Sequence, residues 1–267
     1  MQVHRLKFTE KEVQEFANYY NAGHSVKETG EYFNIKYRDM LHYLIYFGHR
    51  NPKRKMSNVP NMCKEHRFFQ NIDSKDKAYY LGLLMSDGYI LTSLYKKEVG
   101  IALKSEDKYI LEKLNNYISP EKNLSKYRNS YKWKVSSVEM YNDLQKYGIT
   151  ENKSHSEYVY PNIPREFDSD FIRGYFDGDG CITLKSSGYN VISFCSNSLQ
   201  FLQSLAVKLL EYSIQTRPIY KGKGSKNPLY TLYLSGGINK SIFKKFLYEN
   251  AESFLIRKYN KFKEIPC

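Results

Sequence analysis

Two aspartates, Asp87 and Asp179, each close a hydrophobic run and each precede a glycine, Gly88 and Gly180. The runs read Tyr80-Leu81-Gly82-Leu83-Leu84-Met85-Ser86-Asp87-Gly88 and Ile172-Arg173-Gly174-Tyr175-Phe176-Asp177-Gly178-Asp179-Gly180. In register, each has a small residue at its third and seventh positions: Gly82 and Ser86 in the first, Gly174 and Gly178 in the second. Residues at i and i+4 share one helical face, and small side chains at that spacing let two helix backbones approach closely. That role offsets a helix-interior glycine's penalty of up to about 1 kcal/mol relative to alanine. Gly88 and Gly180 suit the left-handed position that ends a helix, so Asp87 and Asp179 fall at helix C-termini. A carboxylate there opposes the helix dipole by roughly 0.3–1 kcal/mol. If the two helices pack together, the carboxylates face each other, an arrangement poor for stability and suited to holding a divalent cation through oxygen.

The elements around these runs repeat. A helix over 75–87 leads to strands near 89–93 and 98–104, a helix over 106–118, strands near 124–128 and 131–137, and a helix over 138–147. After a connector (148–167) containing Pro161 and Pro164, the order recurs: a helix over 168–179, strands near 181–185 and 191–195, a helix over 198–212, strands near 216–221 and 230–235, and a helix over 238–248. The tetrapeptides Leu111-Glu112-Lys113-Leu114 and Leu202-Gln203-Ser204-Leu205 occupy matching places, as do Glu151-Asn152-Lys153-Ser154 and Ile256-Arg257-Lys258-Tyr259. An internal repeat of about eighty residues in the order αββαββα is therefore readable, as halves 73–155 and 165–263. In the strand over 131–137, Tyr131, Trp133 and Val135 alternate with Lys132, Lys134 and Ser136, so one face meets the core and the other is basic. Lys126 and Arg128 are expected to continue the basic face. A twisted antiparallel sheet with such a face fits the major groove of DNA. Lys104, Lys185, Arg217, Lys221 and Lys223 join these as candidate contacts.

The paired motifs resemble those of the LAGLIDADG homing endonuclease family in its two-motif, single-chain form, over roughly residues 73–263. The resemblance implies that the motif helices form the interface between two similar halves. It implies that the last acidic residue of each motif, here Asp87 and Asp179 beside the backbone of Gly88 and Gly180, binds the metal ions that cut double-stranded DNA. Mg²⁺, or another divalent cation such as Mn²⁺, is the expected cofactor. A basic residue after the last helix of each half approaches the active site in this family; by position these are Lys153 and Lys258. Such lysines orient water or stabilise the charged transition state, and the same residues also suit ordinary phosphate contacts. Lys104 is a further candidate, although its counterpart is Cys195. One departure is the sixth motif position, Met85 in the first run and Asp177 in the second. Two other readings stay open: a DNA-binding regulator without nuclease activity, which has no need of both aspartates, and a maturase that binds intron RNA.

Composition supports a nucleic-acid partner. Lys and Arg number 41 against 28 Asp and Glu, a formal charge of +13, and that excess favours a polyanion. The 26 Tyr and 15 Phe supply amphipathic surface for cores and for contacts with sugars and bases. Four cysteines without a C-x-x-C pair give neither a disulfide framework nor a zinc signature; Cys63 and His66 make at most half a metal site. A reducing interior, cytoplasmic or organellar, fits. The segment MQVHRLKFTEKEV lacks an apolar signal core, and no run is long enough to cross a bilayer, so no membrane partner is expected. With both halves in one chain, a monomer is expected.

Residues 1–55 read as helices followed by a basic linker. Thr9 with Glu12, and Ser25 with Glu28, make capping boxes. Val13, Phe16, Ala17 and Tyr20, then Val26, Thr29 and Phe33, then Met40, Leu41, Leu44 and Ile45 form apolar stripes at helical spacing. The short helix, brief turn and further helix resemble a helix-turn-helix unit, with Lys36, Tyr37, Arg38 and His42 on the exposed face of the last helix. A small bundle used for packing is the other reading. Arg50, Lys53, Arg54 and Lys55, around Pro52, track phosphates or form a solvated tether. Residues 56–72 receive no assignment. The expected fold is α+β: two pseudo-symmetric αββαββα repeats with antiparallel DNA-binding sheets, plus a small all-α N-terminal domain.

Overall fold

The computed structural model describes residues 8–49, 62–93, 96–184, 190–222 and 229–265. The candidates Arg50, Lys53, Arg54, Lys55, Lys185 and Lys223 lie outside these residues. The chain divides into two compact units, Met1–Pro60 and Asn61–Cys267.

The first unit holds three helices, α1 (Glu10–Asn21), α2 (Val26–Tyr32) and α3 (Tyr37–Tyr46). Both capping boxes form: the Glu12 carboxylate accepts from the Thr9 backbone N–H at 2.6 Å, and the Glu28 carboxylate from that of Ser25 at 2.6 Å. Val13, Phe16, Ala17, Tyr20, Val26, Met40, Leu41, Tyr43 and Leu44 make the core; all but Tyr43 lie on the stripes that helical spacing predicts, whose Phe33 and Ile45 are only half-buried. The turn from α2 to α3 passes through Asn34 at φ 52°, a residue type that tolerates the left-handed region. A side chain on Gly30 would meet the Ile35 carbonyl oxygen at 2.7 Å, so this turn is closed tightly against α2.

The second unit repeats one plan. Its first half runs α4 (Lys75–Asp87), β1 (Gly88–Thr92), β2 (Lys97–Lys104), α5 (Lys108–Ile118), β3 (Ser125–Tyr127), β4 (Ser130–Ser136) and α6 (Val138–Lys146). The second half runs α7 (Asp168–Asp179), β5 (Gly180–Thr183), β6 (Val191–Ser196), α8 (Leu199–Glu211), β7 (Tyr220–Lys221), β8 (Tyr230–Tyr233) and α9 (Gly237–Tyr248). A further helix, α10 (Ile256–Lys263), follows and was not anticipated. The strands form two antiparallel four-stranded sheets, ordered β1-β2-β4-β3 and β5-β6-β8-β7. The architecture is thus α+β with the expected duplication.

In the first sheet Val99, Ile101, Trp133 and Val135 point into the core with Ile110, Leu111, Leu114 and Ile118 of α5. In the second, Ile182, Ile192, Phe194 and Leu232 do so with Phe201, Leu202, Leu205 and Leu209 of α8. The unassigned stretch before α4 also enters the core through Cys63, Phe68, Phe69 and Ile72.

Three expectations are corrected here. Gly88 and Gly180 are not left-handed: their φ values are −76° and −80°, with extended ψ. Each motif helix passes directly into a strand, and glycine serves there because a side chain would collide with the preceding turn, Leu84 in one case and Phe176 in the other. Lys126 does not continue the basic face. It pairs with Tyr131, so it shares the helix-covered side of the sheet, with its ammonium 5.9 Å from the Tyr131 ring centroid. Lys221 repeats this in the second half, pairing with Tyr230 and lying 6.0 Å from that ring. Both lysines are exposed because β3 and β7 are edge strands that overhang the core. The strand expected over 216–221 shrinks to Tyr220–Lys221 plus an isolated bridge from Thr216 to Leu234; Pro218 between them has no N–H to donate to the ladder.

Candidate active site at the ends of the motif helices

The helices α4 and α7 cross backbone to backbone. A side chain on Gly82 would lie on the Phe171 carbonyl oxygen and 2.8 Å from the Tyr175 nitrogen; one on Gly174 would lie on the Tyr79 carbonyl oxygen. One turn later the Ser86 hydroxyl sits over Gly178 and donates back to the Leu83 carbonyl at 3.0 Å. All four small residues of the two motifs are therefore at the crossing, and the crossing brings the C-terminal residues Asp87 and Asp179 together.

Each carboxylate is open to solvent on one side and hemmed by protein on the others. Burial, then the charge of Asp87, pushes Asp179 up to about 6. Burial also raises Asp87, against the pull of Lys153 and Lys258. Neighbouring carboxylates of this kind are oxygen ligands of the type that a divalent cation takes. Among the described residues no cluster of three or more His, Cys, Asp or Glu is arranged to hold a metal ion. Cys63 is buried, and the His66 ring bonds the Ser137 hydroxyl at 2.8 Å.

Lys153 and Lys258 both reach this place, but their donors are spoken for. The Lys153 ammonium donates to the carbonyls of Leu84, Met85 and Ser86 at 2.9, 2.8 and 2.5 Å. That of Lys258 donates to Phe176, Gly178 and Gly180 at 2.5, 3.2 and 2.6 Å. An ammonium has three donors, so each lysine terminates one motif helix and neutralises its negative end. Burial lowers both ammonium groups to about 8, against the pull of the neighbouring aspartates. They act on Asp87 and Asp179 through charge, not as free hydrogen-bond donors. Lys258→Met, which keeps the stem and removes the donors, is expected to destabilise the fold by about 1–3 kcal/mol, whereas Lys104→Met, at an exposed position, leaves stability unchanged. Urea unfolding of the two variants checks this; equal midpoints would remove the capping role.

Each lysine is placed by a device of its own. Lys153 opens a 3₁₀ turn after Asn152, at φ 55°. The neighbouring Glu151 carboxylate ties that loop to the end of β1, accepting from the Thr92 N–H and the Tyr141 hydroxyl, both at 2.7 Å. Lys258 rides on α10, whose start is held by Asp177: one carboxylate oxygen accepts from the Leu255 N–H at 2.7 Å and from the Tyr79 hydroxyl at 2.8 Å. The other oxygen is buried without a hydrogen-bond partner, and burial pushes Asp177 up to about 6. The departure at the sixth motif position thus has a reason. Asp177 anchors a segment that only the second half carries, while its counterpart Met85 simply packs in the core.

The opposite ends of the motif helices are clamped alike. Asp76 accepts from Lys113 at 2.9 Å, Tyr117 at 2.6 Å and Ser253 at 2.6 Å. Asp168 accepts from Tyr212 at 2.9 Å and Tyr160 at 2.7 Å, with Lys208 3.4 Å away. A lysine and a tyrosine four residues apart on the following helix do the work in both halves, and this K-x-x-x-Y repetition is a signal that sequence reading passes over.

Of the candidate nucleic-acid contacts, Lys132 and Lys134 lie on the outward face of the first sheet. Lys104 is exposed at the end of β2, and Arg128 sits in the β3–β4 turn at φ 50°. Arg217 is exposed, its N–H donating to the Tyr233 carbonyl at 2.8 Å. In the first unit Lys36, Tyr37 and Arg38 are exposed at the start of α3 and His42 is half-buried.

Residues 166–247, which include the second motif, match the family described as LAGLIDADG-like domain. The second half of the duplicated unit is thus similar to a LAGLIDADG-like domain. Its fold is similar to that of a point mutant of I-SmaMI, at 12% identity over 70% of this chain and 88% of that one, with a TM-score of 0.50. For I-DmoI in complex with DNA and Ca the values are 17%, 71%, 97% and 0.49. At these identities the likeness is one of fold. Among curated proteins, a probable translation initiation factor IF-2 of Methanocaldococcus jannaschii is 31% identical over 204 residues, 70% of this chain and 17% of that protein. A DNA-directed RNA polymerase subunit Rpo1C of the same organism is 26% identical over 172 residues, 61% of this chain and 18% of that protein. The chain spans less than a fifth of either relative's length. No helix among its described residues is long and apolar enough to cross a membrane.

Proposed function

We propose that the protein is a site-specific endonuclease that makes a divalent-cation-dependent double-strand cut in DNA, working as a monomer. The observation that carries this reading is the pair Asp87 and Asp179, brought together by a glycine crossing and backed by the half-buried Lys153 and the buried Lys258. Two neighbouring carboxylates at helix ends are unfavourable for stability and would find their use when a cation joins them. Bound there, Mg²⁺ or Mn²⁺ supplies charge neutralisation on the phosphate and lowers the pKa of an attacking water. The chain's own residues do the rest. Asp87 and Asp179 come from opposite halves, so each half addresses one strand. Lys153 and Lys258 keep positive charge beneath the carboxylates and keep the two helix ends from moving. The first sheet's outward lysines hold the duplex by its phosphates and base edges.

Incubation of the protein with a randomised duplex library, with Mg²⁺ or with EDTA, tests the reading. Cut ends recovered only with Mg²⁺, and enriched in one sequence, are the expected result. Cation-independent or sequence-indifferent ends would count against it.

The α1–α3 unit is read as a second DNA contact. Its described residues 8–49 carry six acidic side chains and four basic ones, so affinity for DNA must concentrate at the start of α3. Lys36→Ala with Arg38→Ala is expected to shorten the protected footprint and to flatten the salt dependence by about 0.9 in log–log slope per lost phosphate contact. An unchanged footprint and slope would assign the unit to packing or to a protein partner.

A further inference from the structure

The outward faces of the two sheets differ in chemistry. On the first sheet Lys104, Lys132 and Lys134 stand opposite Ser130, Ala102 and Gly100. Two of these lysines are held in place. Tyr89, paired with Gly100, lays its ring across that glycine, where any side chain would collide with it. The Lys132 ammonium lies 4.6 Å from the Tyr89 ring centroid. The Tyr89 hydroxyl donates to Glu98 at 2.8 Å, and the other oxygen of Glu98 is 3.6 Å from the Lys134 ammonium. Glu98 is itself only 7% exposed, so it positions Lys134 and does not face a ligand.

The second sheet presents no charge on the corresponding described strand positions; its neighbouring cation, the exposed Arg217, lies outside the strands, its N–H bonded to the Tyr233 carbonyl. Registers of Cys181 with Ser193, Thr183 with Val191, Ser193 with Tyr233, and Cys195 with Thr231 put thiols, threonine hydroxyls, a phenol and methyl groups outward, while Ser193 itself is 6% exposed and does not face a ligand. Its one described strand lysine, Lys221, is on the other face.

These faces meet base edges differently. A lysine only donates, and in the major groove it pairs with guanine O6 and N7. Hydroxyls donate and accept, while threonine methyls pack on the thymine C5-methyl. We infer that the two halves select opposite base classes: the first sheet selects guanine through Lys104, Lys132 and Lys134, and the second selects A·T pairs through hydroxyl, thiol and methyl contacts. The target is then lopsided in composition about the cut. This rests on the endonuclease reading and extends it to the substrate.

The test is a binding selection with the intact protein in Ca²⁺ from a randomised duplex pool, followed by sequencing. Guanine enrichment on one side of the site only is expected. The Lys132→Gln, Lys134→Gln double variant should lose that enrichment by about tenfold per position, the discrimination such a contact supplies, with the other side unchanged. Lys132→Arg should retain it, which separates lost recognition from lost folding. Thr231→Val should alter preference on the opposite side alone. Equal guanine content on both sides, or a double variant that binds every sequence more weakly without changed preference, would overturn the inference and leave the endonuclease standing. A pool with no enriched sequence at all would overturn both.

Discussion

Asp87→Asn and Asp179→Asn are each expected to lower double-strand cleavage by at least about two to three orders of magnitude, the scale on which removal of one electrostatic element of a reaction centre is felt. The same substitutions should not weaken the fold. Burial and the facing carboxylate push Asp179 toward its neutral form, so replacing either partner with a neutral isostere relieves repulsion. Melting temperature is expected to hold or rise while cleavage disappears, a separation that marks a site kept for function. Plasmid linearisation in Mg²⁺, with thermal unfolding and DNA binding on the same preparations, measures both. Full cleavage by either variant would remove the assignment. Lost cleavage with a lowered melting temperature would make the aspartate structural.

The largest effect on stability is expected from Gly174→Ala. Its added carbon falls on the Tyr79 carbonyl oxygen, which is backbone and fixed within α4. Gly82→Ala meets the Phe171 carbonyl in the same way, whereas Gly178→Ala meets the Ser86 hydroxyl, a side-chain atom that rotates. The expected order of loss is therefore Gly174 and Gly82, about 3 kcal/mol or more, then Gly178, nearer 1 kcal/mol, the range that overpacking spans. Gly174→Leu is expected not to fold. Urea unfolding of the three alanine variants decides the ranking. Equal, small losses would show that the helices slide apart freely and that the crossing is not what sets the carboxylate pair.

Local pattern carried the elements well. Glycine spacing located the crossing, and the motif helices end at Asp87 and Asp179 as read. Pairing between elements was less legible. Lys126 shares the parity of Lys132 and Lys134 along the chain, but the hairpin turn Arg128-Asn129 has two residues, so Tyr127 pairs with Ser130 and even positions of β3 face odd positions of β4. Counting along one strand cannot supply that inversion. Nor does a sequence say which carboxylate meets which donor: Asp177 reaches Leu255 across the fold, and Asp76 reaches Ser253. The lysines were found by position, yet their bonds to helix carbonyls depend on where loops fold back. In the glycines after the aspartates the residue type was right and the reason wrong, since close approach and not a left-handed turn demands them.

That last point reaches into how such a protein can change over time. Because Gly88 and Gly180 are the first residues of β1 and β5, no slack separates each motif aspartate from the strand beside it. An inserted residue at either joint would turn every side chain of the strand to the other face and swing the carboxylate out of its pair. A substitution further along the strand alters one outward side chain and moves nothing else. Under the proposed endonuclease reading, the lineage is thereby steered toward point changes: it is free to acquire new targets one base at a time, while the placement of the carboxylate pair is inherited unaltered.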